Sequence, residues 1–298
     1  MRKLTKLLCV LLGVLLMLPA LAEEAPEASD TPLMEVHQMM IGFADGYLIR
    51  AGGVNILIDG GNANPRQPTD DVVNYLREAG VDRLDACIVT HWHLDHCMNL
   101  NAALAAFGDA DTIVYSPAER VPEAIDNGTV TVAIAPLVTG THQQMKMGDV
   151  LDMGGMTITC IGPETLSLGG GCNADSLNVV LQYGARRLLF TGDFAQSRCI
   201  NSAYKDLCSN VDVLKFPHHG MQPYEIGTMA TRTVRPRHVL VPGVVNKHKI
   251  WDFFDNNGVK FPRDNVYTNA DGHVVIITDG ADRFDILTQQ NPADYAPQ

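Results

Sequence analysis

The sequence predicts one α/β domain with two β-sheets inside and helices outside. Strand and helix signals alternate along the chain. The strand segments are apolar enough to be buried on both faces. No internal repeat, long linker or composition break interrupts residues 33–290, a length that suits one domain.

The elements follow in order. Gly46 to Ile58 reads as a β-hairpin turning at Gly52-Gly53, with the apolar run Val54, Ile56, Leu57, Ile58 ending at Asp59-Gly60-Gly61. Thr69 can cap a helix whose stripe is Val72, Val73, Leu76 and Ala79 and which Gly80 stops. Ala86 to Thr90 is a buried strand. Asn99 to Phe107, rich in Ala and Leu, is a helix ended by Gly108. Later strands are expected at Thr112–Ser116, Met156–Ile161, Leu177–Tyr183, Arg187–Thr191, Val211–Phe216 and His238–Val241. A hairpin of Val274–Thr278 and Phe284–Leu287 completes the set, and residues 291–298 form a tail.

The N-terminus reads differently. Arg2, Lys3 and Lys6 precede an apolar run from Leu7 to Leu18, and Ala20-Leu21-Ala22 supplies small residues for cleavage. Residues 1–22 are therefore expected to be a signal peptide, and 23–32, acidic with Pro and Ala, a disordered lead-in. A secreted or cell-envelope protein with no stable membrane span is the consequence. The chain carries 22 basic against 34 acidic residues, a net charge of −12. Removing residues 1–22 takes away three bases and no acids. A body this acidic is poorly suited to gripping a long polyanion, which disfavours long nucleic acid and favours a small-molecule or cell-envelope substrate.

Of seven cysteines, Cys9 lies in the leader. Cys87 and Cys160 sit in strand-like runs, where buried free thiols are expected. No CxxC pair suggests a structural zinc site. Gly169-Gly170-Gly171 lacks a following GK[ST] and reads as a flexible loop. His37, His142, His238 and His273 read as structural or exposed. His248, between Lys247 and Lys249, reads as part of a solvated basic turn that could form a small anion site.

Chemistry concentrates in Thr90-His91-Trp92-His93-Leu94-Asp95-His96, directly after a buried strand. Residues i and i+2 of an extended segment point the same way, so His91 and His93 can grip one cation. Asp95 and His96 fall in the turn beyond and can face a second. Imidazole plus carboxylate suits zinc, or manganese or iron under other supply.

This segment resembles the HxHxDH signature of the metallo-β-lactamase superfamily, and further motifs follow in the family's order. Leu57-Ile58-Asp59-Gly60-Gly61 looks like its strand ending in Asp-x-Gly. Leu188 to Asp193 looks like the strand that delivers a bridging aspartate. Asp212 to Gly220, ending Pro217-His218-His219-Gly220, and Val266 to Ile277 resemble the ComEC-like branch, named for the hydrolase domain of a competence protein. The matches span roughly residues 34 to 288.

The resemblance implies an αββα sandwich of two mixed sheets with two divalent ions in a cleft at one edge. It assigns His91, His93 and Asp193 to one ion, and Asp95, His96, Asp193 and one of His218 or His219 to the other. The branch sets its ligand immediately before the glycine, which points to His219. Asp59 and Thr90 would orient the ligand loop. The departures are the absence of a histidine from Gly170 to Leu177, with Asp175 as a weaker substitute ligand, and Cys97, Met98 and Met221 where the branch carries glycines and a serine. The implied activity is hydrolysis of a phosphodiester or related ester by a metal-activated water, with Asp95 and Asp193 at the reacting centre. A lactam or acyl hydrolase, or a silent metal-binding protein of the same fold, are the alternatives.

Overall fold

The computed structural model describes residues 32–61, 70–126, 131–194, 202–221, 229–243 and 246–296. The leader, the lead-in as far as residue 31, the Thr69 cap and Cys199 lie outside the described residues.

Two large mixed sheets form the centre. In the first, strands lie in the order β17 (Phe284–Leu287), β16 (Val274–Thr278), β1 (Met34–Gln38), β2 (Gly46–Ala51), β3 (Val54–Gly60), β4 (Ala86–Ile88), β5 (Ile113–Ser116), β8 (Thr141–Gln144). In the second the order is β15 (Val266–Thr268), β14 (His238–Val241), β13 (Val213–Lys215), β12 (Arg186–Phe190), β11 (Asn178–Tyr183), β10 (Met156–Gly162), β9 (Val150–Met153). A small ribbon pairs β6 (Ala124–Asp126) with β7 (Thr131–Ala133). The pairs β3–β4, β4–β5 and β5–β8 are parallel, as are β12–β13, β13–β14 and β14–β15.

Strand periodicity sorts the core into three layers. Ile56 and Ile58 face a central cluster with Val36, Ile49, Ile88 and Ile276, packed on Val179, Leu181, Leu188 and Phe190 of the other sheet. The intervening Leu57 points to the opposite face. There it packs with Leu48, Cys87 and Val114 beneath helices α1 (Asp71–Glu78) and α3 (Leu100–Phe107). On the far side Val180, Leu189, Leu214 and Val239 pack with Cys208 of the one-turn helix α4 (Lys205–Cys208) and under helix α5 (Lys247–Asn256) through Ile250, Phe253 and Phe254. The result is the expected αββα sandwich.

Local chemistry explains most of the elements. The β2–β3 hairpin turns on Gly52 and Gly53, whose φ of 56° and 79° suits the two-residue turn that matches strand twist. Helix α1 buries Val72, Val73, Tyr75 and Leu76 and exposes Asn74, Arg77 and Glu78.

Several elements depart from the sequence expectation. Strand β1 carries Glu35 and His37, which disguise it; His37 is fully buried, its Nδ1 2.8 Å from the Tyr75 hydroxyl. The Lys247–Lys249 segment is the first turn of α5, with Asn246 accepting from the His248 amide at 3.0 Å, and His248 and Lys249 are exposed. Lys247 is spent on Asp271 at 2.7 Å. The tail drawn at 291 is docked through residue 296: Arg50 donates to the Tyr295 carbonyl at 2.6 Å, and the Tyr295 and His37 rings meet at 4.9 Å. Among the described residues no helix is long and apolar enough to cross a membrane.

One glycine joins fold to site. A Cβ on Gly61 would lie 1.9 Å from the Asp95 carbonyl carbon and 2.1 Å from the His96 nitrogen, so backbone there meets backbone. Gly61→Ala must therefore push the segment around Asp95 and His96 off the end of β3. Thermal unfolding should show a loss of several kcal/mol, well above the roughly 1 kcal/mol typical of point substitutions. Unchanged stability would mean that this close approach is not a constraint.

Candidate metal centre

The candidate site gathers at the C-terminal ends of parallel strands, where open α/β sheets commonly place ligands. Strand β3 supplies the first group. At its end Asp59 has φ of 53°, in the left-handed region that costs a non-glycine residue about 1 kcal/mol or more. This conformation turns its carboxylate across to the next strand. Oδ1 accepts from the Thr90 amide at 2.7 Å, and Oδ2 accepts from the Thr90 hydroxyl at 2.7 Å and lies 2.8 Å from His96 Nδ1.

After β4 the chain runs through Thr90 and His91 to His93, the extended N-cap of the single-turn helix α2 (Leu94–Cys97). The His91 ring lies 4.6 Å from that of His93 and 4.1 Å from that of His96, centroid to centroid. The turn of α2 swings Asp95 and His96 round.

Strand β12 ends at Thr191-Gly192-Asp193, whose amide donates to Ser176 Oγ at 3.0 Å. Ser176 Oγ also lies 3.2 Å from His91 Nδ1. After β13 comes the tight turn Pro217–Gly220, in which His218 and His219 both adopt left-handed backbone, φ of 50° and 51°. This turn separates the two rings. His219 is buried, with Nε2 3.2 Å from Asp95 Oδ2 and 3.5 Å from Asp193 Oδ2. His218 is half-buried, its Nε2 3.2 Å from Asn173 Nδ2.

Asp95, His96, Asp193 and His219 therefore converge, each offering one ligand atom within 4.8 Å of all the others. His91 and His93 flank this group rather than join it. Asp175 does not take part. Its carboxylate is fully buried and accepts from the amides of Ser167, Leu168 and Gly170, the latter two at 2.8 Å. The expected weak ligand is instead the organiser of the Gly-rich loop, whose Gly170 carbonyl accepts from the Trp92 amide at 3.1 Å. Cys97 also stays out: its thiol is buried, 3.6 Å from the Trp92 carbonyl, and burial pushes it well up from its ordinary range.

Four side chains of the site were missed in the sequence. Asp45 and Lys215 are both buried, with Lys215 Nζ 2.5 Å from Asp45 Oδ2. Ser176 and Asn173 occupy the segment where a histidine was absent. A lysine inside the apolar run Val213-Leu214-Lys215-Phe216 was a usable signal; Asp45 offered none.

The electrostatics test whether a cation fits. Burial opposes charge on His96 and His219, yet both titrate well above the usual imidazole range because Asp193, with Asp59 and Asp45 beside His96 and Asp45 beside His219, outweighs it. Burial likewise opposes ionisation of Asp193, but His96, His219 and Lys215 hold it well below the carboxylate range. Burial, then the neighbouring His96, drives His91 well below its ordinary value. A buried surplus of carboxylate over fixed positive charge is satisfied either by protons on imidazole or by a cation. The buried Nε2 of His91 has no hydrogen-bond partner, and that of His96 faces Asp193 Oδ2 at 3.2 Å, which also suits ligand duty. The residues fit a divalent ion.

Two outcomes follow. Protein reconstituted with zinc or manganese should retain one to two ions by elemental analysis. Asp193→Ala should lose more metal than His91→Ala, and a wild-type protein without metal would refute the site. Asp175→Ala should speed hydrogen exchange at the amides of Ser167, Leu168 and Gly170 and cost roughly 1.5–3 kcal/mol, the range for hydrogen bonds to charged groups. Its effect on zinc affinity should be smaller than that of His219→Ala; equal effects would restore Asp175 as a ligand.

Comparison with known proteins agrees with this geometry. Residues 41–220 match the family described as Metallo-beta-lactamase superfamily. Ribonuclease Z of Bradyrhizobium diazoefficiens is 30% identical over 158 residues, 48% of this chain and 45% of that protein, so the chain spans about half the length of this relative. The fold is similar to that of the metallo-beta-lactamase fold protein YhfI from Bacillus subtilis, with a TM-score of 0.50 and 14% identity over 80% of this chain and 95% of that one. With its fold, the order of its motifs and more than half its length in agreement, the chain belongs to the metallo-β-lactamase superfamily.

Proposed function

We propose that this metal-dependent hydrolase cleaves a small phosphodiester or related ester. Asp95, His96, Asp193 and His219 would hold one divalent ion, zinc in the first instance, and His91 and His93 with Asp193 a second. The observation that carries the reading is the convergence of four ligand atoms within 4.8 Å at the ends of parallel strands. Ions held there supply Lewis acidity and an activated water.

The chain's own residues do the positioning. Asp59 holds His96 by its Nδ1 and leaves Nε2 facing Asp193 at 3.2 Å. Ser176 ties His91 to the Asp193 backbone, so the two halves of the site move together. Cys97 is withheld as a nucleophile by burial. His218 stands half-buried beside Asn173, placed to meet a substrate rather than a deep ion.

The substrate class rests on two supports. The similarity to a ribonuclease, covering less than half of that protein, favours a phosphodiester. The net charge of −12 argues against a long polyanion, which needs Lys and Arg along its track. The Lys247 ammonium is moreover engaged by Asp271 and is not free to grip phosphate. The Pro217-His218-His219-Gly220 motif supports a place in the ComEC-like branch.

A substrate panel on metal-loaded protein tests the proposal. Bis(p-nitrophenyl) phosphate should be hydrolysed faster than a chromogenic cephalosporin, and duplex DNA only weakly and with strong salt sensitivity. A preference for the cephalosporin would establish the acyl-hydrolase alternative. Efficient DNA cleavage at physiological salt would overturn the size argument, and metal binding without any turnover would mark a binding protein.

A further inference from the structure

Lys215 is a lysine in a strand whose neighbours Val213, Leu214 and Phe216 are apolar and buried, and it is only 1% exposed. Withdrawing an ammonium from water costs several kcal/mol unless its protons and charge are matched. Here they are matched three ways. Nζ lies 2.5 Å from Asp45 Oδ2, donates to the Gly192 carbonyl at 2.6 Å and lies 3.4 Å from Asp193 Oδ1.

The two carboxylates divide their oxygens. Asp193 keeps Oδ1 toward Lys215, while Oδ2 lies 3.2 Å from His96 Nε2 and 3.5 Å from His219 Nε2. Asp45 keeps Oδ2 toward Lys215, while Oδ1 lies 3.2 Å from His219 Nδ1. Asp193 thus has one oxygen on the lysine and the other on the histidines, while Asp45 has one on His219 and the other on the lysine, 3.6 Å from His96 Nδ1. His219 in turn has Nδ1 against Asp45 and Nε2 against Asp95 and Asp193.

We infer that Asp45 and Lys215 are positioning residues of the metal centre. Lys215 locks the two carboxylates, so that Asp193 presents Oδ2 and Asp45 holds His219 with Nε2 presented to the same ion. The inference rests on the metal-site reading above. A carboxylate on the far nitrogen of an imidazole fixes the tautomer and ring orientation and raises ligand basicity. Asp59 does this for His96 without a counter-ion of its own. Asp45 faces Asp193 across the same buried space, and the ammonium between them lets two acids approach one histidine.

The test compares wild type, Asp45→Asn, Lys215→Met and the double variant as full chains. Zinc affinity is measured by competition with a chromogenic chelator, and histidine side-chain 15N shifts are recorded on zinc-loaded protein. Asp45→Asn and Lys215→Met should each weaken zinc binding by roughly 10- to 100-fold, the usual cost of losing a partner behind a metal ligand. Asp45→Asn should also shift the His219 nitrogen pair. The double variant, with both charges gone, should bind zinc no better than the weaker single variant. If Lys215→Met does not fold, Asp45→Asn and the double variant decide the matter. Folded variants with a lower melting temperature but wild-type zinc affinity and unchanged His219 signals would reduce the pair to a structural role and overturn the inference. A wild-type chain that binds no zinc would instead overturn the metal site itself.

Discussion

Four buried or nearly buried carboxylates, Asp45, Asp59, Asp95 and Asp193, converge at the start of β2, the ends of β3 and β12 and the ligand turn, and everything around them answers their charge. An unpaired carboxylate there would cost many kcal/mol. His96, His219 and Lys215 are pulled into the same space and held as cations or as cation ligands. The two sheets are apolar where they face each other, with Ile58, Ile88, Val179 and Phe190 in the shared layer. That layer supplies the low dielectric that makes each charge contact strong and each missing contact expensive.

The backbone is bent to serve this cluster. Asp59, His218 and His219 all occupy left-handed backbone that a non-glycine residue adopts at a cost. Each bend turns a side chain that would otherwise follow the strand: Asp59 toward Thr90 and His96, His219 inward, His218 toward Asn173. At Gly61 and Gly192 the chain approaches its neighbours so closely that a Cβ would strike the Asp95 backbone or the Thr90 and Ser176 side chains. Of the six non-glycine residues with positive φ among the described residues, Asp59, His218 and His219 are at the candidate metal centre, and Asn210, Arg235 and Gln289 lie away from it. Local rules broken at a site are expected where its geometry has been set by function rather than by stability.

Specialisation within the superfamily shows in the supporting residues. The segment where most of the family carries another histidine holds Ser176, which links His91 to the Asp193 amide, and Asn173, which meets His218. Asp175, in the same segment, pins the Gly-rich loop through three amides and so steadies the backbone beside Trp92. A stretch that supplies no ligand in its own right thus still shapes both sides of the site.

The sequence alone determined the alternation of strands and helices, the sandwich they form and the cluster from His91 to His96. Those features depend on local periodicity and on spacing within a few residues, which a chain displays directly. It also displayed Asp193 and the paired histidines at 218 and 219, through motifs that lie at strand ends. Tertiary structure decided the rest. Only a left-handed turn separates the ring of His219 from that of His218, and only the loop's amides draw Asp175 away from the candidate metal centre. Asp45 and Lys215 are 170 residues apart, and their pairing arises because β2, which Asp45 immediately precedes, and β13, which Lys215 ends, belong to different sheets that meet at the cluster. Strand β1 and the start of helix α5 were hidden because His37 and Lys247 look solvated until a partner, Tyr75 or Asp271, is brought to them. A polar residue's burial is set by what the fold places opposite it, and that partner is not written in its neighbours.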